Sequence, residues 1–223
     1  MYYNIRLDWN PKVIGVKNGV YQVEFYKRAY DKKTYALIDS FFINNKSNQY
    51  PNEIDLKFYF KKLKSAKKTS FMSFSPHLNH CHFLVDKNTI KLLETFNLQN
   101  CKFFESVIYG SGTEIEDVSF RLFYTEIQEW EIINFKNTVF TSGGFGNIPK
   151  VEHTFTNKDE LRNFNGITNV KTLSLAKNFD SSLDLFLTPV GGMFVSEKLK
   201  LVLEEENKTG LKFYDDVQIE VSG

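Results

Sequence analysis

His77, His80 and His82 stand in one proline-led loop with Cys81 between them, and they are three of the chain's four histidines. Imidazole and thiolate both bind zinc readily, and side chains this close in sequence can meet on one ion. The spacing therefore marks His77, His80 and His82 as candidate metal ligands, and as the seat of a metal-dependent enzyme if a further ligand comes from elsewhere in the fold. In an extended chain, however, Cys81 and His82 point apart. The plainer expectation is a polar loop with no cofactor. His153, beside Glu152, is the remaining histidine; acid–base work would require an oriented partner that its neighbours do not supply, so a surface histidine is expected.

Two glycine groups, Gly143, Gly144 and Gly146, and Gly110 and Gly112, match neither GxGxxG nor a phosphate loop, and they read as tight turns. Lys61, Lys62, Lys64, Lys67 and Lys68 follow Phe58, Tyr59 and Phe60, a pairing of charge and rings that suits phosphates and bases. Yet 28 Lys+Arg balance 27 Asp+Glu, so the chain has no strong field for nucleic acid and the lysines are expected to form a solvated face. Cys81 and Cys101 lack CxxC spacing and are expected to be reduced packing residues. No run approaches the ~18 apolar residues of a membrane span, and the opening MYYNIRLDWN has no basic region followed by an apolar one. A cytoplasmic address without a membrane partner is expected. No Ser/His/Asp, Cys/His or paired-carboxylate arrangement has a local signature, which makes a non-enzymatic protein the leading class.

Positioning such residues falls to a core rich in Phe and Tyr, at 22 and 11 copies, a composition that favours strands. Residues 2–8, 21–26 and 34–42 read as strands of a meander. Residues 118–127 read as a long strand with Val118, Phe120, Leu122 and Tyr124 on one face. The stretch from Leu56 to the lysine run stays open between helix and loop, 142–149 reads as a loop, and 157–164 as a short helix capped by Asn157.

An internal repeat organises the rest. Residues 85–107 align without a gap on 195–217, with identities at Val85/Val195, Leu93/Leu203, Glu94/Glu204, Asn97/Asn207, Lys102/Lys212, Phe103/Phe213 and Val107/Val217. Physical roles recur as well: Asp86 and Ser196 suit helix N-caps, Leu92, Leu93 and Phe96 or Leu199, Val202 and Leu203 form apolar stripes, and Asn100 and Gly210 suit helix stops. The expected fold is α+β, with mainly antiparallel strands, a few short helices and a duplicated strand-helix-strand unit. One copy falls in residues 1–110 and one in 111–223, within one structure.

The run 193–217, MFVSEKLKLVLEEENKTGLKFYDDV, resembles the C-terminal signature of a group of bacterial immunity proteins encoded beside polymorphic toxins. In that signature an aliphatic residue, Ser and an acid precede a short amphipathic helix, followed by Gly, an aliphatic residue and an aromatic. Val195, Ser196, Glu197, Leu199 to Leu203, Gly210, Leu211 and Phe213 fill those places. The resemblance implies an inhibitor that binds a cognate protein toxin and needs no cofactor, and it carries no active site with it. On that reading Trp130 is a candidate anchor, and Glu204, Glu205, Glu206, Asp215 and Asp216 are candidate contacts for a basic toxin groove. A small-ligand binding module is the remaining alternative, and a deep apolar pocket would be its sign.

Overall fold

The computed structural model describes residues 1–17, 21–44, 56–144 and 149–221. They fall into two compact units, each assembled from separated stretches. One unit comprises Arg6–Glu126 and Leu201–Lys212; the other comprises Met1–Ile5, Ile127–Lys200 and Phe213–Gly223. The first strand, β1 (Tyr2–Leu7), crosses the division.

In the Arg6–Glu126 unit, alternation sorts the aromatic residues. Its elements are α1 (Pro11–Ile14), β2 (Val23–Phe25), α2 (Lys32–Ile38), β3 (Phe58–Lys62), β4 (Phe71–Met72), β5 (Phe74–Ser75), β6 (Cys81–Asp86), α3 (Lys87–Leu93), β7 (Cys101–Tyr109), β8 (Ile115–Asp117) and β9 (Phe120–Thr125). Phe58 and Phe60 are fully buried while Tyr59 between them is not, as the period of two requires. Phe104 and Ile108 on β7, and Phe120, Leu122 and Tyr124 on β9, join them in one core. The sheet runs β4-β6-β9-β7-β3-β2-β5, with β8 paired to β7. Strand β7 serves two neighbours: its first five residues pair antiparallel with β9, and Ser106 to Tyr109 pair parallel with β3.

The two ends of this order, β4 and β5, are separated by Ser73 alone, so the sheet returns on itself as a nearly closed barrel. Gln22 seals the junction from a fully buried position. Its Nε2 donates to the Lys67 carbonyl at 2.7 Å and to Thr69 Oγ1 at 2.9 Å, and its Oε1 accepts from the Ser73 amide at 3.0 Å. Its own amide donates to the Ser73 carbonyl at 3.0 Å. A buried amide so completely bonded stabilises the closure, where an unbonded one would oppose it.

A helical plug completes this core. Asp31 caps α2, with Oδ1 accepting from the Lys33 and Thr34 amides at 2.8 and 2.9 Å. A π-turn over Asp39–Ile43 follows and carries Phe42 among the barrel's rings. Phe42 meets Phe58, Phe104 and Tyr124 edge to face, at centroid distances of 5.3, 5.8 and 6.2 Å. The strand expected over 34–42 is thus a helix and π-turn: Ile38 and Phe42, spaced i and i+4, bury on one helical side.

The other unit holds β10 (Val139–Ser142), β11 (Val151–His153), α4 (Lys158–Asn163), β12 (Asn169–Leu175), β13 (Leu185–Leu187) and β14 (Met193–Ser196). The chain then runs through α5 (Glu197–Glu205), β15 (Leu211–Tyr214) and β16 (Gln218–Val221). Two four-stranded sheets form, β11-β10-β12-β16 and β13-β14-β1-β15. Leu173, Leu175, Phe179, Phe186, Phe194 and Val217 build a core against which Tyr2 packs. Asn157 caps α4 as expected, accepting from the Asp159 and Glu160 amides.

The expected α+β class is corrected. Strands make up 36% of the structure against 22% for helix, in 16 strands over three sheets, one of them barrel-like. The α-helices of the described residues run from four to nine residues, too short to form a layer of their own. Nor does a duplicated unit organise the architecture. Residues 85–107 and 195–217 each hold a helix between two strands, with Asp86 and Ser196 as caps. Beyond that they part: Gly210 takes a left-handed φ of 100° while Asn100 does not, β7 has nine residues against four in β15, and the two enter different sheets. Among the described residues no helix is long and apolar enough to cross a membrane.

Candidate interaction surface

The histidine loop does not gather into a site. His77 is exposed and His80 adopts a φ of 61°. His82 packs its ring near Phe83 and Phe123, at 6.3 and 6.1 Å, and its Nε2 is buried without a hydrogen-bond partner among the described residues. Burial holds the His82 pKa down to about 4, against a hydrogen bond with the Thr125 backbone that favours the charged ring, and the neighbouring His77 and His80 add to the lowering. Cys81 turns into the barrel core, where burial pushes its thiol pKa well above the usual range. Among the described residues no group of three or more His, Cys, Asp or Glu side chains is placed to hold a metal ion.

Trp130 lies on a 3-10 turn, Trp130–Ile132, stacked on Phe135 at 6.1 Å, with the Arg162 guanidinium 5.2 Å from its ring centroid. It is half-buried, so packing accounts for one side of the ring and a cation for another. Glu204, Glu205 and Glu206 are exposed at the end of α5, in the Arg6–Glu126 unit. Asp215 and Asp216 are exposed between β15 and β16, in the other unit. The acidic residues adjacent in sequence are thus divided between two bodies.

His153 is not the solitary surface histidine expected. Its Nε2 lies 2.7 Å from Ser142 Oγ, and its ring packs near Phe155 and Phe164. No carboxylate among the described residues hydrogen-bonds its other nitrogen, so the pair lacks the third group that would orient a base. Of the predicted 142–149 loop, residues 145–148 lie outside the described residues. An open cleft of about 400 Å³ lies beside Tyr2, Asp184, Ser196 and Lys198. There Ser196 Oγ donates to Asp184 at 2.6 Å and accepts from the Leu199 amide at 3.1 Å, so this serine holds the start of α5. The cleft is not the deep apolar pocket a small-ligand module would show.

One surface emerges that sequence reading did not find. Strands β2, β3 and β7 lie side by side, and register brings Tyr26, Tyr59 and Tyr109 together on the barrel's outer side. Tyr26 and Tyr109 are 5.2 Å apart and Tyr59 and Tyr109 are 6.3 Å apart. Tyr30, 4.9 Å from Tyr59, links these rings to Phe25 and then Tyr35, and here the contacts leave the outer side, since Phe25 and Tyr30 pack against the barrel core. The Tyr59 amide donates to Tyr30 Oη at 2.8 Å, which fixes Tyr30; burial raises its phenol pKa above the ordinary value. Tyr26, Tyr59 and Tyr109 are half-buried.

Cations border these rings. Lys27 Nζ sits 4.1 Å from the Tyr35 centroid and Lys61 Nζ sits 5.8 Å from that of Tyr26. Arg28, Lys32 and Lys33 are exposed on the adjoining turn and the start of α2. Of the nearby acids, Glu105 pairs with Lys57, Asp31 caps α2, and Glu24, opposite Lys61 in the register, accepts from Tyr21 Oη. Elsewhere in the lysine run, Lys62 pairs with Glu116 and Lys68 with Asp117, at 3.4 and 2.8 Å. Lys61 alone of these three turns to the aromatic set.

No protein-family model matches the chain, and no curated protein matches it in sequence.

Proposed function

We propose that the protein is an immunity-type inhibitor, which binds a cognate bacterial toxin and blocks it by covering its working surface. It would act in the cytoplasm of the producing cell or a sibling, without a cofactor and without catalysing a reaction. The sequence of 193–217 supports this reading through its resemblance to immunity proteins. The observation that carries it is the Tyr26, Tyr59 and Tyr109 array on a sheet of paired strands. Tyrosines of this kind are enriched among the residues that dominate protein interfaces, where the strongest are worth about 2 kcal/mol or more each. Their setting on β2, β3 and β7 presents them without a loop to order first.

Occlusion requires a stable complex. The test is co-expression with the toxin gene neighbouring this chain's gene, read as cell survival and as co-purification on size exclusion. Survival with a complex that persists through purification is expected. Continued cell death with no co-purifying protein would reject the proposal.

A further inference from the structure

We infer that the partner docks on the outer side of β2, β3 and β7, against Tyr26, Tyr59 and Tyr109, and that the protein surface it presents there is acidic. This rests on reading the chain as a protein-binding inhibitor and specifies the face and the charge of its partner. The expectation from sequence was the reverse, an acidic patch reaching into a basic groove. Its acidic residues are divided between units, whereas Tyr26, Tyr59, Tyr109 and Lys61 form a connected set within one.

Charge complementarity selects the occupant. Lys27, Arg28, Lys32, Lys33 and Lys61 make no ion pair among the described residues, while Asp31, Glu24 and Glu105 are held by partners of their own. Asp31 and Glu24 keep their negative charge, and Glu24 stands opposite Lys61 in the register, but the five cations outnumber these two carboxylates, so the local surface is basic on a chain of formal net charge +1. An acidic protein surface would be steered to it and selected by it. Single-stranded nucleic acid also meets lysine and tyrosine, but it stacks bases on ring faces. Here Tyr26 and Tyr109 cross at 61° and Tyr30 and Tyr59 at 72°, and cations stand over Tyr35 and Tyr26. Rings that cross in this way, two of them already faced by a cation, offer no parallel stack for bases to extend, which favours a protein contact.

The experiment measures binding kinetics of the purified protein encoded by the neighbouring toxin gene on wild type, on Tyr59→Ala, on Tyr109→Ala and on the double variant Lys27→Glu/Lys61→Glu. Glu205→Lys, on the exposed end of α5, serves as the control, and thermal melts confirm folding. Each tyrosine variant is expected to weaken binding about thirtyfold, mainly through faster dissociation. The lysine variant should slow association about tenfold at low salt, an effect that shrinks as salt rises. It removes surface charge and no buried group, so it tests the face even if a tyrosine variant folds poorly. Wild-type binding with all variants within twofold of it would overturn this face while leaving the inhibitor reading intact. Failure of wild type to bind would remove that reading and this one together. Binding of a labelled single-stranded RNA that Tyr59→Ala abolishes, with toxin binding unchanged, would overturn the protein partner in favour of nucleic acid.

Discussion

Replacing His82 by phenylalanine should remove a pH dependence that burial of this ring imposes on the fold. The imidazole packs near Phe83 and Phe123 with Nε2 shielded from water, and its pKa is held down to about 4, against about 6.5 for a solvated histidine. A base whose folded pKa is lowered binds protons more readily in the unfolded chain. Stability is therefore complete above about pH 6.5, falls as pH drops toward about 4, and is flat below. Each unit of that gap is worth about 1.4 kcal/mol, which gives about 3 kcal/mol in all. The rest of the side chain keeps some contact with solvent, so about 2 kcal/mol is the firmer figure. Carboxylates held low by hydrogen bonds or ion pairs, among them Asp117 beside Lys68, lose their contribution as pH falls below about 4, outside most of this window. They are common to both proteins and cancel in the difference. Urea unfolding of wild type and His82→Phe at pH 7.5, 6.0, 5.0 and 4.5 measures it. Wild type should lose about 2 kcal/mol more than the variant between the first and last of these. Parallel curves for the two proteins would refute the claim that the fold holds His82 neutral.

Closure of the barrel predicts that Gln22→Leu costs about 2–4 kcal/mol, since the Ser73 amide and the Lys67 carbonyl lose their buried partner; the urea midpoint reads it, and a loss under about 1 kcal/mol would contradict the seal. Phe42→Ala should cost about 3–5 kcal/mol by opening a cavity among Phe58, Phe104 and Tyr124, seen as a lower Tm. Gly210→Ala should destabilise by more than about 1 kcal/mol, because φ is +100° there and a Cβ would strike the Phe71 carbonyl oxygen.

Legibility in the sequence followed the range of the interactions. The Asp31, Asp86 and Asn157 caps close within three residues of each side chain, and two of them were readable as types at a position. Strand β9 was readable because Phe120, Leu122 and Tyr124 alternate with a single core, although Val118 precedes the strand and is exposed. The plug was not readable. Thr34 to Phe42 has the composition of a strand, and only the Asp31 cap with Ile38 and Phe42 at i, i+4 spacing marked it as helical. Strand β3 was masked by the lysines that follow Phe58 and Phe60. The tyrosine face lay furthest from view: Tyr26, Tyr59 and Tyr109 become neighbours only through one antiparallel and one parallel pairing, and such registers leave no local trace.

The same pleat that hides this face also explains its form. Phe58 and Phe60 point into the barrel and the half-buried Tyr59 points out, so along β3 the phenyl rings take the interior and the phenol takes the side that keeps contact with solvent. Solvent contact accounts for tyrosine over phenylalanine at Tyr26, Tyr59 and Tyr109, but not for aromatic rings there at all. Threonine or lysine would satisfy an outer strand position with less apolar area left in water. The rings instead abut one another across three strands whose closure Gln22 bonds and whose interior Phe42 fills. Side chains already confined in this way lose little entropy when a partner arrives. A rigid barrel and an aromatic outer face are thus coupled features: the packing inside the sheet fixes the rings outside it in the positions from which they can bind.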